Sequence, residues 1–198
     1  MIKFINPSNQ KPYIIFKKLY EKAKESKQIN SNAICISSYS KSNKEVNARF
    51  VNLKFIDTNE FIFFSNYSSP KSKDFESHNQ ITALIYWNSI NVQIRMKEKI
   101  KRTSEEFNNK YFVNRDKNKN ALAISSDQSK TISSYEDVKK KFMLSLNSDD
   151  LTKCPKYWGG YSFTPYYFEF WEGHKSRLNK REVYSLIDSK WIHSFLQP

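Results

Sequence analysis

Glycine is almost missing from this chain: Gly159, Gly160 and Gly173 are the only three in 198 residues. Neither the dinucleotide fingerprint G-x-G-x-x-G nor the P-loop G-x-x-x-x-G-K-[ST] can be written with them. A phosphate bound here must be held by side chains or helix ends, not by a glycine cradle. Cysteine is as scarce. Cys35 and Cys154 stand far apart and supply neither a disulfide framework nor a zinc site. Cys35 sits in an apolar run and is expected to be a small core residue. The three histidines, His78, His174 and His193, lack ligand spacing, so no metal is expected. No apolar run approaches the roughly 20 residues of a membrane span, and the opening MIKFINPSNQ has no apolar signal core. These absences lead to the expectation of a soluble, cytoplasmic protein.

What the chain does have is aromatic mass and positive charge. Phe, Trp and Tyr make up 16% of it, enough for a real core despite a mean hydropathy of −0.74. The net charge of +13 invites a nucleic-acid reading. However, the cations are 27 lysines against six arginines, beside 19 asparagines, the pattern of AT-biased coding, and no block of like charge stands out. In a lysine-drifted chain the arginines mark places that need a planar, permanently charged group: Arg49, Arg95, Arg102, Arg115, Arg177 and Arg181.

Periodicity predicts a helix over 12–28 with Ile14, Ile15, Leu19 and Ala23 as its apolar face. Strands are predicted at Ala33–Tyr39, Val46–Ile56, Glu60–Asn66, Ile81–Trp87 and Val92–Lys101, with a short helix in 67–79. T-S-E-E opens a helix over Thr103–Val113. Residues 114–134 read as a long polar loop, Tyr135–Leu146 as a helix and 147–165 as irregular chain. Tyr166–Glu172, Glu182–Asp188 and Trp191–Leu196 close the chain as strands. Many short antiparallel strands with few helices predict a mainly β, α+β protein, a small barrel with peripheral helices.

Four features could carry chemistry. Phe168-Glu-Phe-Trp171 is followed by Arg177-Leu-Asn-Lys-Arg181, an aromatic strand leading to two arginines four residues apart. In Arg49-Phe-Val-Asn-Leu-Lys54, strand alternation puts one cation on each face. Tyr111 and Arg115 meet one anion if the helix persists through residue 115. Gln128-Ser129 lies in the polar loop. Singly, each reads as ordinary surface or core.

Together and in order they resemble the FMN-dependent pyridoxamine/pyridoxine 5′-phosphate oxidases, from about Pro12 to the C-terminus. The resemblance is carried by R-F-V-N-L-K at 49–54, F-F-S-N-Y-S-S-P-K at 63–71, Gln93, Y-F-V-N-R at 111–115 and Q-S at 128–129. It continues with Y-W-G-G-Y at 157–161, F-E-F-W at 168–171, R-L-N-K-R at 177–181 and the closing W-I-H-S-F-L-Q-P. It implies a split β-barrel over 1–198, with an N-terminal helical segment at 1–30 and a dimerisation and substrate-site region at 150–198. It also implies a homodimer with FMN at the subunit interface. The reaction implied is oxidation of pyridoxamine or pyridoxine 5′-phosphate to pyridoxal 5′-phosphate, with dioxygen as acceptor and hydrogen peroxide as product.

By position, the resemblance places Arg49 and Lys71 on the FMN phosphate. Phe50, Val51, Phe64, Ser65, Gln93, Gln128, Ser129, Trp171 and Arg181 complete the flavin site. Lys54, Tyr111, Arg115 and Lys119 grip the substrate phosphate. Arg177 covers the substrate ring as the catalytic residue, with Asn179 beside it. Three positions depart from the family pattern: Pro70 replaces an arginine, Lys119 a serine and Asn179 a histidine. The last two motivate an alternative, a related FMN oxidase acting on another aromatic such as a phenazine-type precursor. A non-catalytic flavin- or B6-phosphate-binding protein is a third reading. A nucleic-acid binder is the weakest, since no such module is present and four of the six arginines already have places.

Overall fold

The computed structural model describes residues 1–198. Strand β1 (Lys3–Ile5) and helix α1 (Lys11–Glu25) precede β2 (Ala33–Ser40), β3 (Glu45–Asp57) and β4 (Glu60–Asn66). Helix α2 (Pro70–Ser77) leads to β5 (Gln80–Trp87) and β6 (Val92–Arg102). Helices α3 (Glu105–Val113), α4 (Lys117–Ser125) and α5 (Tyr135–Ser148) follow, then β7 (Trp158–Glu172), β8 (Lys180–Ile187) and β9 (Lys190–Leu196). No helix is long and apolar enough to cross a membrane.

Six strands close into a ring: β3 pairs with β2, β2 with β5, β5 with β6, β6 with β7, β7 with β4, and β4 again with β3, all antiparallel. The ring exists because two strands are long enough to serve two partners. β7 pairs with β4 through 158–163 and with β8 through 167–172. β3 pairs with β2 through 45–52 and with β4 through 53–57. The β8–β9 hairpin extends from the second half of β7. The result is a mixed α+β split barrel.

Strict alternation aims Ile81, Ala83, Ile85 and Trp87 inward from β5, facing Ile94, Met96 and Ile100 of β6. α1 covers the barrel with Tyr13, Phe16, Tyr20 and Ala23; of the predicted face, Ala23 is buried and Ile15 and Leu19 pack partly buried against the core, while the centre of the face is aromatic. Phe16 meets Phe61 edge-on at 5.0 Å and Trp87 at 5.7 Å. Cys35 is half-buried on the opposite face of β2 from Ile34 and Ile36, outside the core cluster where it was expected. A carboxylate lies among the buried residues of the barrel. Glu98 is 0% exposed, and neither of its carboxyl oxygens has a hydrogen-bond partner.

None of the three glycines has positive φ, and ten non-glycine residues do, among them Asn30, Asn91, Ser129 and Arg177. The turns are therefore built without glycine, at about 1–2 kcal/mol for each left-handed residue. Gly159 and Gly160 answer a different need. A Cβ at Gly159 would sit 2.2 Å from the Tyr67 hydroxyl, and one at Gly160 2.5 Å from Thr103 Oγ1. Asn108 Oδ1 accepts from the Gly160 N–H at 2.8 Å, so this close approach docks α3 on β7.

Candidate active site

The site is built around the end of β4 and the start of α2. Ser69 precedes α2 without a side-chain cap, and Lys71 in the first turn is buried, donating to Ser69 Oγ at 2.9 Å. Arg49 reaches the same end of the barrel from β3. It donates to Ser38 Oγ at 2.7 Å, and its other terminal nitrogen is 3.8 Å from Asp74 Oδ2, which also accepts from Ser38 at 2.8 Å. Burial, then the charge of Arg49, pushes the Lys71 ammonium down to about 8. Burial likewise lowers the Arg49 guanidinium, against the pull of Asp74. Two half- to fully buried cations, with a single carboxylate against Arg49, leave net positive charge for an anion. That donor set fits the phosphate of FMN, and it needs no glycine cradle. Phe50 is 74% exposed on the outer face of β3, and Val51 packs toward the core.

A second cation group is centred on Lys54, five residues farther along β3 than Arg49. Lys54 has no partner in the β3–β4 register, where Leu53 faces Phe63 and Phe55 faces Ile62. It is the extra residue of a bulge, a device that re-aims a side chain. Its ammonium is lowered by burial, then by Lys119 and Arg115. Residues from β3, the α3–α4 connection and α4 thus converge. None of Lys54, Arg115 and Lys119 forms an ion pair. Arg115 lies 4.9 Å over the Trp158 ring and donates to Lys119 O and Asn120 Oδ1. Tyr111 stacks on Phe64, and Phe64 on Trp158 at 5.1 Å.

The helix carrying Tyr111 does not persist through residue 115: α3 ends at Val113, and Arg115 follows in a turn, its N–H on Phe112 O at 3.1 Å. Tyr111 and Arg115 remain neighbours, both lying against the Trp158 ring, at 6.3 Å and 4.9 Å; burial raises the Tyr111 hydroxyl and Arg115 counters it. The predicted loop 114–134 is also corrected. It contains α4, capped by Asp116 accepting from Lys119 N–H and pinned by Asn120 donating to Phe112 O and Leu151 O. Gln128 and Ser129 lie in the exposed turn after it. That turn is tied to β4 by Asn66 donating to Ser126 O at 3.5 Å, which places it near Ser65. A cavity of about 160 Å³ borders Ser129 and Lys141, and a larger one of about 280 Å³, beneath Phe4, Tyr13 and Lys17, touches none of the predicted residues.

The remaining predicted residues gather elsewhere. Gln93, Trp171 and Arg181 pair in register across β6, β7 and β8, which sets them in one row on one face. Arg177 and Asn179 lie in the turn that joins β7 to β8. Arg177 has φ 59°, and Asn179 Oδ1 accepts from His174 N–H at 3.0 Å. Phe64 faces Gly160, so this second gathering lies eleven residues farther along β7, roughly 35 Å if the strand were straight. Sequence reasoning passed over Glu169. Only 3% exposed, it accepts from Arg181 Nε at 2.8 Å, Arg95 Nε at 3.1 Å and the Tyr167 hydroxyl at 3.0 Å. Its signal was the acidic residue inside an aromatic strand.

Residues 158–198 match the model of the pyridoxine 5′-phosphate oxidase C-terminal dimerisation region. The pyridoxine/pyridoxamine 5′-phosphate oxidase of Leptospira biflexa is 34% identical over 190 residues, spanning 94% of this chain and 89% of that protein. The chain belongs to the pyridoxine/pyridoxamine 5′-phosphate oxidase family. Another member, from Rippkaea orientalis, is 32% identical over 198 residues, 96% of this chain and 91% of its own. Among solved structures, PhzG from Burkholderia lata, in complex with tetrahydrophenazine-1-carboxylic acid, superposes with TM-score 0.88 at 22% identity, covering 95% of this chain and 93% of that one. A pyridoxamine 5′-phosphate oxidase-related, FMN-binding protein from Nostoc punctiforme gives 0.79 at 12% identity, covering 96% and 99%. At these identities the two structures speak for the family's fold alone.

Proposed function

We propose that the protein is a cytoplasmic, homodimeric FMN-dependent oxidase. It converts pyridoxamine 5′-phosphate and pyridoxine 5′-phosphate to pyridoxal 5′-phosphate, with dioxygen as acceptor and hydrogen peroxide as product. The observation that carries this reading is the presence of two separate cation groups, Arg49–Lys71 and Lys54–Arg115–Lys119. Two such groups suit two phosphates, one on a cofactor and one on a substrate.

Arg49 and Lys71 would hold the FMN phosphate, with Phe50, Val51, Phe64, Ser65, Gln128 and Ser129 along the flavin. Bound FMN supplies the two-electron acceptor. Lys54, Tyr111, Arg115 and Lys119 bind the substrate phosphate and so fix the distance of its ring from the reaction centre, where position supplies much of the rate. Arg177 and Asn179 cover the ring, and Gln93, Trp171 and Arg181 close the flavin site from the other side. The separation of these two sets along β7 supports the dimer: a mononucleotide touching both takes each from a different copy. In this reading residues 1–198 form one FMN-binding unit, and 150–198 carry dimerisation and part of the substrate site.

The test is an absorbance spectrum of the purified protein before and after anaerobic addition of pyridoxamine 5′-phosphate. Bleaching of a flavin band supports the reading. FMN-loaded protein that turns over neither phosphorylated vitamer overturns it. A second reading, oxidation of another reduced aromatic acid, is favoured by Lys119 and Asn179. Screening such acids in the same assay separates the two.

A further inference from the structure

We propose that Glu169 is a positioning residue that holds Arg181 in place for the flavin. This rests on the flavin reading above.

Glu169 lies on the outer face of β7, opposite Arg95 of β6 and two residue pairs along from the Trp171–Arg181 pair. Its Oε1 accepts from Arg181 Nε, and its Oε2 accepts from Arg95 and from the Tyr167 hydroxyl. Burial alone would raise its pKa. The hydrogen bonds from Arg181, Arg95 and Tyr167 outweigh that and hold the carboxyl below its usual range, so it stays ionised. A single carboxylate therefore separates two guanidinium groups that would otherwise repel.

The consequence for Arg181 is geometric. Its Nε is spent on Glu169 and one Nη1 hydrogen on Gln197 O at 3.0 Å, which fixes the plane of the guanidinium. Both Nη2 hydrogens and one on Nη1 are left to donate outward. Its backbone pairs with that of Trp171, so Arg181 stands in the same row as Gln93 and Trp171. A planar fork held at two points is pre-organised for an acceptor-rich ring or phosphate, whereas a free arginine must lose rotamer freedom on binding. Arg95, 38% exposed and 5.7 Å over the Tyr167 ring, completes the clamp from the other side.

The experiment measures FMN affinity of the full-length apo-protein by quenching of flavin fluorescence, for the parent, Glu169→Gln, Arg181→Ala and the double variant. Glu169→Gln keeps the shape and removes the charge. It is expected to weaken FMN binding roughly ten- to hundredfold, the fold-change of one hydrogen bond to a charged group. In the Arg181→Ala background it is expected to add nothing, because Glu169 acts through Arg181. Unchanged affinity in Glu169→Gln, or an undiminished loss in the double variant, overturns the proposal. If Glu169→Gln does not fold, as judged by its melting curve, Tyr167→Phe replaces it, since it removes one hydrogen bond from the same carboxylate. The expectation is then a severalfold loss seen only when Arg181 is present, and a loss that persists without Arg181 overturns the proposal. A parent that takes up no FMN overturns the flavin reading itself and this proposal with it. A parent that binds FMN beside an unaffected Glu169→Gln overturns this proposal alone.

Discussion

Phe64 and Tyr111 stack face to face, with ring centroids 3.9 Å apart and planes 16° from parallel. One ring belongs to β4, on the proposed flavin side, and the other to α3, on the proposed phosphate side, so the stack sets the two subsites at a fixed spacing. Tyr111→Phe keeps the stack and removes only the hydroxyl beside Arg115. Steady-state kinetics are expected to show a severalfold higher KM for a phosphorylated vitamer, with kcat and melting temperature unchanged. Tyr111→Ala removes the ring and is expected to cost about 2 kcal/mol of stability, below the usual aromatic-to-alanine range because the ring is half-exposed. A Tyr111→Phe variant with unaltered KM would remove the hydroxyl from the substrate site.

Lys119 adds a cation to a place already holding Lys54 and Arg115. Lys119→Ala removes a like charge, so the Lys54 ammonium is expected to rise toward its ordinary value and the protein to become slightly more stable. The substrate loses one phosphate partner. KM is expected to rise about two- to fivefold, the range of an exposed ion pair, with kcat unchanged and the salt dependence of KM reduced. Unphosphorylated pyridoxamine serves as the control and should not respond. Equal effects on both substrates would place Lys119 outside the phosphate subsite.

The two cation groups also show where sequence reasoning reached and where it stopped. Alternation in Ile81–Trp87 and Val92–Lys101 is unbroken, and both strands are readable from it. β7 is half hidden. Tyr161, Phe163 and Pro165 face inward, then Tyr166 is an extra residue between the Pro165–Glu98 and Tyr167–Lys97 pairs, after which Phe168 and Phe170 face inward. That bulge reverses the parity, and with Gly159, Gly160 and Pro165 nearby the first eight residues read as irregular chain. α4 was missed because Lys117–Ser125 has almost no apolar stripe, its stability coming from the Asp116 cap and from Asn120 reaching Phe112 and Leu151. The convergence of Lys54 with Arg115 and Lys119 depends on a bulge and a turn, and spacing alone does not reveal either. Family resemblance named these residues. Glu169 stands inside the F-E-F-W motif, but its partners come from three strands, so its role emerged only once the strands were paired.

Lys71 links flavin binding to pH. Its ammonium titrates at about 8, below the ordinary lysine range. A dianionic phosphate beside it raises that value, so between the free and bound pKa the complex holds a proton that the free protein has lost. FMN affinity is therefore expected to be flat below pH 8 and to fall by up to about tenfold per pH unit above it. The phosphate is already dianionic there, so its own titration does not offset the fall. Fluorescence titration between pH 7 and 10 checks this, with riboflavin, which has no phosphate, as the control. An affinity for FMN that stays level across that range would mean Lys71 does not meet the phosphate.

Glu98 links fold stability to pH in the sense opposite to an ion-paired carboxylate. Burial without a partner raises its pKa well above the usual carboxylate range, and Tyr13, whose own hydroxyl is raised first by burial and then by Glu98, is its titratable neighbour. Between the unfolded value near 4.5 and the folded one, the native state binds the extra proton, so stability is expected to fall as pH rises through that window. Glu98→Met fills similar volume with no polar atoms to satisfy. At pH 7 it is expected to be more stable than the parent by about 1–3 kcal/mol, the cost of an unsatisfied buried polar group. The gain should shrink as the pH drops through 4.5, below which the parent's carboxyl is neutral in both states. Melting curves of the two apo-proteins at a series of pH values test this. Curves that run parallel throughout would show that Glu98 does not hold a proton inside the barrel.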